Sequence, residues 1–151
     1  MIRTATERDI PEIHAMLREY RLASPLKAHA DIDETTAKQM VDVVIKQDRG
    51  LILISEHKDK IRGMLLAIYS FNMWDQKIRC MNELAWWVRP EYRGSTDGYR
   101  MLMKYKEVGD LLIERKEIKY YTISKMVTSP DLKYDRFGFD KLEEMYICQP
   151  H

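Results

Sequence analysis

The stretch VRPEYRGSTDGYRMLMKYKE, from Val88 to Glu107, decides how this chain is read. It begins as the end of a strand, turns at Pro90 and passes through a short basic loop that holds Gly94 and Gly98. Met101, Leu102, Tyr105, Val108, Leu111 and Leu112 then recur at the spacing of one helix face. A loop that joins a strand to a helix N-terminus presents backbone N–H groups to an anion. The glycines permit close approach of that backbone, and Arg93 adds a planar cation suited to phosphate. Neither the P-loop pattern GxxxxGK[ST] nor the dinucleotide pattern GxGxxG is present. The loop alone leaves a plainer reading open, in which the glycines shape a turn and Arg93 is solvated.

Outward from this stretch the chain alternates strands and helices. Ile2 to Ala5 reads as a short strand. Thr6 stands three residues before Asp9, in the manner of a capping box, ahead of a helix from about Glu7 to Tyr20 that carries Ile10, Ile13 and Leu17. RLASPLKAHADID, residues 21–33, breaks that pattern. Thr35 or Thr36 caps a second helix with Ala37, Met40, Val41, Val44 and Ile45 on one face, ended by Gly50. LILISE (51–56) and IRGMLLAIYSF (61–71) read as an antiparallel pair around the turn HKDK. IRCMNELAWWVR (78–89) is a third long strand, which leads into the opening stretch. IKYYTISK (118–125) is another strand, SPDLKYDRFGF (129–139) a short helix that closes at Gly138, and LEEMYIC (142–148) a final strand. The order β-α-α-β-β-β-α-β-α-β predicts an α/β (α+β) domain, a mixed sheet with helices packed on it.

Composition narrows the function classes. The 151 residues fit a single domain, 1–151, with one sizeable core. Hydrophobic residues make up 45% and charged residues 32%, a globular balance. A net charge of +1 supplies no bulk field toward nucleic acid or an anionic membrane. No apolar run reaches the length of a bilayer span, and MIRTATERDIPE lacks the apolar core of a secretory signal. The expected setting is therefore the cytoplasm, with Cys80 and Cys148 as reduced thiols. The cysteine spacing does not suit zinc, and no metal is expected.

VRPEYRGSTDGYRML resembles the acyl-CoA-binding motif of the GNAT superfamily of N-acetyltransferases, Gln/Arg-x-x-Gly-x-Gly/Ala after a Val-x-Pro-x-Tyr-Arg-Gly lead-in. Val88, Pro90, Tyr92, Arg93 and Gly94 match the lead-in, and Arg93 and Gly98 match the ends of the core motif. Thr96 stands where the middle glycine belongs, and its side chain crowds the approach to a pyrophosphate. The N-terminal IRTATERDIPEI and the segment YDRFGF extend the resemblance over nearly the whole chain. It implies a mostly antiparallel sheet of about six strands with a V-shaped opening for acyl-CoA. The opening arises where a bulge splays the strand before the motif from its neighbour. The cofactor-facing residues it implies are Trp86, Trp87, Val88, Arg93, Gly94, Ser95, Thr96, Asp97, Gly98 and Tyr99. Arg100 and Lys104 are within reach of a 3′-phosphate. As strand neighbours, Trp86 and Trp87 point to opposite faces.

The chemistry the resemblance implies is aminolysis of acetyl-CoA, a co-substrate, by a primary amine on a small molecule or a protein. The amine must lose a proton, and Glu83 is the implied base; Asp75 and Glu19 are weaker candidates. Tyr134, in Y-x-x-x-G-F, is the implied proton donor to the departing thiolate. The alternative is a non-catalytic GNAT-fold module that binds CoA or a protein partner, toward which Thr96 points. The apolar residues on both faces of LEEMYIC raise the expectation of a homodimer.

Overall fold

The computed structural model describes residues 1–26 and 33–150. Its centre is a five-stranded sheet in the order β1-β2-β3-β4-β5. The strands are β1 (Ile2–Thr4), β2 (Gly50–His57), β3 (Lys60–Phe71), β4 (Arg79–Val88) and β5 (Tyr120–Thr122). The first four are antiparallel, and β5 lies parallel to β4. Helices α1 (Ile10–Ala23) and α2 (Thr35–Lys46) cover one face, and α3 (Asp97–Glu114) covers the other.

Local chemistry explains these elements. The Asp9 carboxylate accepts the Thr6 N–H at 2.8 Å, the reciprocal half of the expected capping box. It also takes two hydrogen bonds from Arg3, at 2.7 and 2.9 Å, which bring its pKa down to about 2. A single 3-10 turn precedes α1, so the helix starts and ends about three residues later than its periodicity predicts. The two faces of the sheet carry separate cores. Ile13, Met16, Val41, Val44, Ile54, Met64 and Trp87 fill one, and Leu53, Leu65, Met81, Met101, Tyr105 and Ile118 fill the other.

Three expectations are corrected. Among the described residues the sheet has five strands, because LEEMYIC forms none: Leu142, Met145, Tyr146 and Ile147 lie exposed on a segment without regular secondary structure. Alternation of apolar residues is not enough without a partner strand to supply the hydrogen bonds. The predicted helix over SPDLKYDRFGF is one 3-10 turn, Tyr134–Phe137. Pro130 removes a donor upstream, Lys133 takes a left-handed φ of 54°, and Gly138 ends the turn at φ 87°. The strand IKYYTISK pairs only over Tyr120–Thr122. That early loss of pairing opens the sheet.

Candidate active site

The pairing of β3 with β4 slips by one residue. Ala67 faces Glu83 and Leu66 faces Ala85, which leaves Leu84 as the extra residue of a β-bulge. A bulge reverses which face the following side chains point to. Before it, Met81 belongs to the α3 core; after it, Ala85 and Trp87 belong to the α1/α2 core, while Trp86 and Val88 turn toward α3. The two tryptophans therefore point to opposite faces, as their adjacency predicts. On the other side of β4, pairing with β5 runs through Cys80, Met81 and Asn82 and goes no further. From Glu83 onward the two strands part. This is the V-shaped opening.

Glu83 sits at the apex. It is 6% exposed, and among the described residues the one hydrogen bond to its side chain is a long one, from the Ser124 N–H at 3.5 Å. Burial pushes its carboxyl up to about 7, against the small opposing effect of that amide. A carboxylate with this affinity for a proton is matched to base catalysis near neutrality. Its charge in turn raises the phenols of Tyr20, Tyr105 and Tyr134, after burial has done most of that work. Tyr105 is already committed, since its hydroxyl donates to Thr122 O at 2.7 Å.

An aromatic ladder fixes Tyr134. Tyr105 meets Tyr121 edge-on at 5.6 Å, Tyr121 meets Phe139 at 5.7 Å, and Phe139 meets Tyr134 at 6.3 Å. Gly109 makes the ladder possible: a Cβ there would come within 2.5 Å of the Tyr121 ring. The Tyr134 phenol is half-buried, with its pKa up at about 12, so it remains a proton donor throughout the neutral range.

The loop ahead of α3 has two characters. Gly94 takes φ 92°, a conformation that glycine supplies without strain. In α3 the Arg100 N–H is the one that reaches back to the Thr96 carbonyl, at 2.9 Å. Gly98 and Tyr99 precede it in the first turn, where helix N–H groups have no intrahelical partner. Trp86 and Val88 form the floor under Gly98. Arg93, by contrast, folds back: its Nε donates to Val88 O at 2.9 Å and its guanidinium stacks 4.5 Å from the Trp87 ring. Cations stand instead across a cavity of about 320 Å³ lined by Tyr99, Asp131, Leu132, Lys133, Arg136 and Phe137. Ser95 and Thr96 are exposed at the loop crest.

Asp97 is the residue whose role sequence reasoning missed. It is 7% exposed and accepts hydrogen bonds from Ser55 and Ser95 at 2.8 Å and from Arg62 at 3.5 Å. Burial works to raise its pKa and is outweighed by Ser95, Ser55 and Arg62, so the net shift is downward. The group is sealed by its own partners rather than by depth. The available signal was Ser55, a lone hydroxyl inside the apolar run LILISE. Of the weaker base candidates, Glu19 is held by Arg89 at 3.1 Å, and Asp75 caps its own turn through the Lys77 N–H at 2.9 Å. Residues 27–32 of the segment RLASPLKAHADID lie outside the described residues.

No protein-family model and no curated protein matches this chain. Solved structures do. A predicted acetyltransferase with acetyl-CoA from Clostridium acetobutylicum superposes with a TM-score of 0.75 at 13% identity, over 99% of this chain and 95% of that one. A ribosomal-protein-alanine N-acetyltransferase from Brucella melitensis biovar Abortus 2308 gives 0.65 at 12% identity, over 99% of both chains. An aminoglycoside acetyltransferase from an uncultured soil metagenomic sample, in complex with trehalose, gives 0.65 at 12%, over 99% of this chain and 96% of that one. The fold of this chain is that of the GNAT acetyltransferases.

Proposed function

We propose that this protein is an N-acetyltransferase that moves an acetyl group from acetyl-CoA to a primary amine by direct attack on the thioester. The observation that carries the reading is Glu83, a buried carboxylate with an affinity for protons near neutrality, at the point where β4 leaves β5. The acetyl group would lie in the gap beside Leu84 to Val88. The first-turn Gly98 and Tyr99 amides suit a phosphate, and Lys133 and Arg136 add charge across the adjoining cavity. Arg93 would need to leave Trp87 to join them.

In the reaction the amine gives a proton to Glu83 as its nitrogen bonds to the thioester carbon. The carbon–sulfur bond then breaks, and the sulfur leaves with a proton from Tyr134. Glu83 returns its proton to solvent and the Tyr134 phenolate takes one back from solvent, so both groups are reset. No metal is needed, and none enters the scheme. The structural neighbours bear names with different acceptors, a ribosomal-protein alanine and an aminoglycoside, so the acceptor has to be found by experiment. Free thiol release from acetyl-CoA across a panel of amines is the test. Binding is checked separately by calorimetry with acetyl-CoA.

A second reading is favoured by Thr96 and by the stacked Arg93: a non-catalytic module that binds CoA or a protein. It predicts heat on binding and no thiol release with any amine. In either reading we infer a homodimer that covers Leu142, Met145 and Tyr146. A concentration-independent monomer in sedimentation, unaffected by Tyr146→Lys, would remove that part.

A further inference from the structure

The α1/α2 face of the sheet changes character along its length. Met64, Leu66, Ala85 and Trp87 pack under the helices, with Ile68 at the margin of that core. Side chains alternate along a strand, and residues paired across strands share a face. Beyond Ile68 this face therefore carries Ser70, its partner Cys80 and, on the far side of Cys80, Tyr120. Asn82 pairs with Ile68 on one side and Thr122 on the other. The hydrogen bonds follow that layout. Thr122 Oγ1 donates to Asn82 Oδ1 at 2.7 Å, Asn82 Nδ2 donates to Ser70 Oγ at 2.6 Å, and Asn72 Nδ2 donates to the Tyr120 hydroxyl at 2.9 Å. None of these side chains is charged. Arg79, the neighbouring cation on β4, alternates to the opposite face and lies over the Tyr69 ring there. Ser70, Asn82, Tyr120 and Thr122 are half-buried rather than sealed. Among the described residues the Tyr120 hydroxyl accepts one hydrogen bond and donates none, and the Thr122 hydroxyl donates one and accepts none. A donor and an acceptor are thus left over on one strand. The Asn82–Thr122 pair is the last rung before β4 and β5 part, and Glu83 is the next residue of β4. The polar strip ends where the opening begins.

We propose that Tyr120 and Thr122, backed by Asn82, form an acceptor-binding strip for the uncharged, hydroxyl-bearing body of the amine whose nitrogen attacks at the opening. The proposal rests on the acetyltransferase reading above and deepens it. A hydroxyl both donates and accepts, so it can take the Tyr120 proton in a hydrogen bond or give its own to Thr122. An alkyl group in its place leaves those two groups unpaired against apolar surface. A carboxylate or ammonium finds no side chain of opposite charge in the strip. No bond is made or broken there, so the proton balance of the reaction is unchanged.

The test compares two primary amines of the same shape, 2-amino-1,3-propanediol and 3-aminopentane, in which hydroxyls take the place of the terminal methyls. Thiol release from acetyl-CoA gives kcat/KM for each, expressed per unprotonated amine. The expected result is a wild-type preference for the diol of about tenfold or more. Tyr120→Phe and Thr122→Val should each cut that preference several-fold, through the KM of the diol, with the KM for acetyl-CoA unchanged. Thr122→Ser keeps the hydroxyl and should keep the preference. An unchanged melting temperature verifies that β5 stays on β4 in each variant. Equal wild-type rates with the two amines would overturn the proposal and leave the transferase reading standing. So would equal losses with both amines in Tyr120→Phe and Thr122→Val, which would make the network a staple of β5. Thiol release with other amines but with neither of these two would also overturn the proposal alone. No thiol release with any amine of the panel would overturn the transferase reading and this proposal together.

Discussion

Glu83 and Asp97 are both carboxylates of low exposure, 6% and 7%, one where β4 leaves β5 and the other in the first turn of α3. Asp97, at the first turn of α3, has three donors around it: Ser55, Ser95 and Arg62. Glu83, at the apex of the strand opening, has one distant amide. Equally low exposure thus ends in opposite shifts, up to about 7 for Glu83, which lies deep, and downward for Asp97, which is shallow and covered by its own partners. Low exposure by itself says little about what a carboxylate is for; depth and the number of donors around it decide together. The satisfied group ties α3 to β2 and β3. The unsatisfied group is held ready for a proton.

Glu83→Gln sharpens this contrast most. It should lower turnover by about 100-fold or more, the usual range for a lost base, and remove the acid limb near pH 7 from the wild-type rate profile. The same change should stabilise the fold. A carboxyl whose pKa rises on folding contributes stability below its unfolded value, and loses it as pH climbs through the folded one. Melting at pH 8 should thus favour the glutamine by up to about 3 kcal/mol, with little difference at pH 4. An active and less stable Glu83→Gln protein would reverse both halves of the comparison.

Asp97→Ala acts from the other end. It leaves Ser55 without its acceptor and the half-buried Arg62 without its ion pair. Chemical denaturation should show a loss of about 2 kcal/mol, and the loss should shrink in acid, where the wild-type carboxylate is itself protonated. A neutral substitution would mean that the network holds nothing.

Tyr134→Phe should come next, with turnover down about tenfold (about 1.4 kcal/mol) and acetyl-CoA affinity intact, because a proton donor to the leaving group acts in the transition state. Equal losses in binding and turnover would assign Tyr134 to packing through Phe139 instead. The smallest effect is expected for Thr96→Gly. Calorimetry should show acetyl-CoA binding a few-fold tighter if the exposed threonine crowds the loop, since each 1.4 kcal/mol is about tenfold. Unchanged affinity would show that the loop accommodates the side chain.

Much of the fold was legible beforehand, the contrast between the two carboxylates was not, and the limits have physical causes. The long strands, the α3 stripe and the 88–107 junction stood out because alternation, helical spacing and a glycine loop are local signals. Glu83 and Tyr134 came from the resemblance. The bulge at Leu84 could not be read from β4 itself, since it is defined by which residues of β3 it faces. Arg93 was read by its charge; its stacking on Trp87 depends on the ring that the bulge turned toward it. LEEMYIC looked like a strand because its side chains suit one, but a strand needs a neighbour that sequence does not display. Asp97 was named only for a cofactor-facing place, and its buried network escaped notice because Ser55 and Arg62, far away in the chain, complete it.

The central claim is that two carboxylates of equally low exposure, one deep with few donors and one shallow with several, are tuned in opposite directions, and the most direct measurement is their titration. Carbon-13 NMR of side-chain carboxyls, assigned with Glu83→Gln and Asp97→Asn, reads both groups in one protein. The account predicts a Glu83 midpoint at about 7 and an Asp97 midpoint below that of an ordinary aspartate. A Glu83 midpoint in the ordinary glutamate range, or an Asp97 midpoint above the ordinary aspartate one, would contradict it.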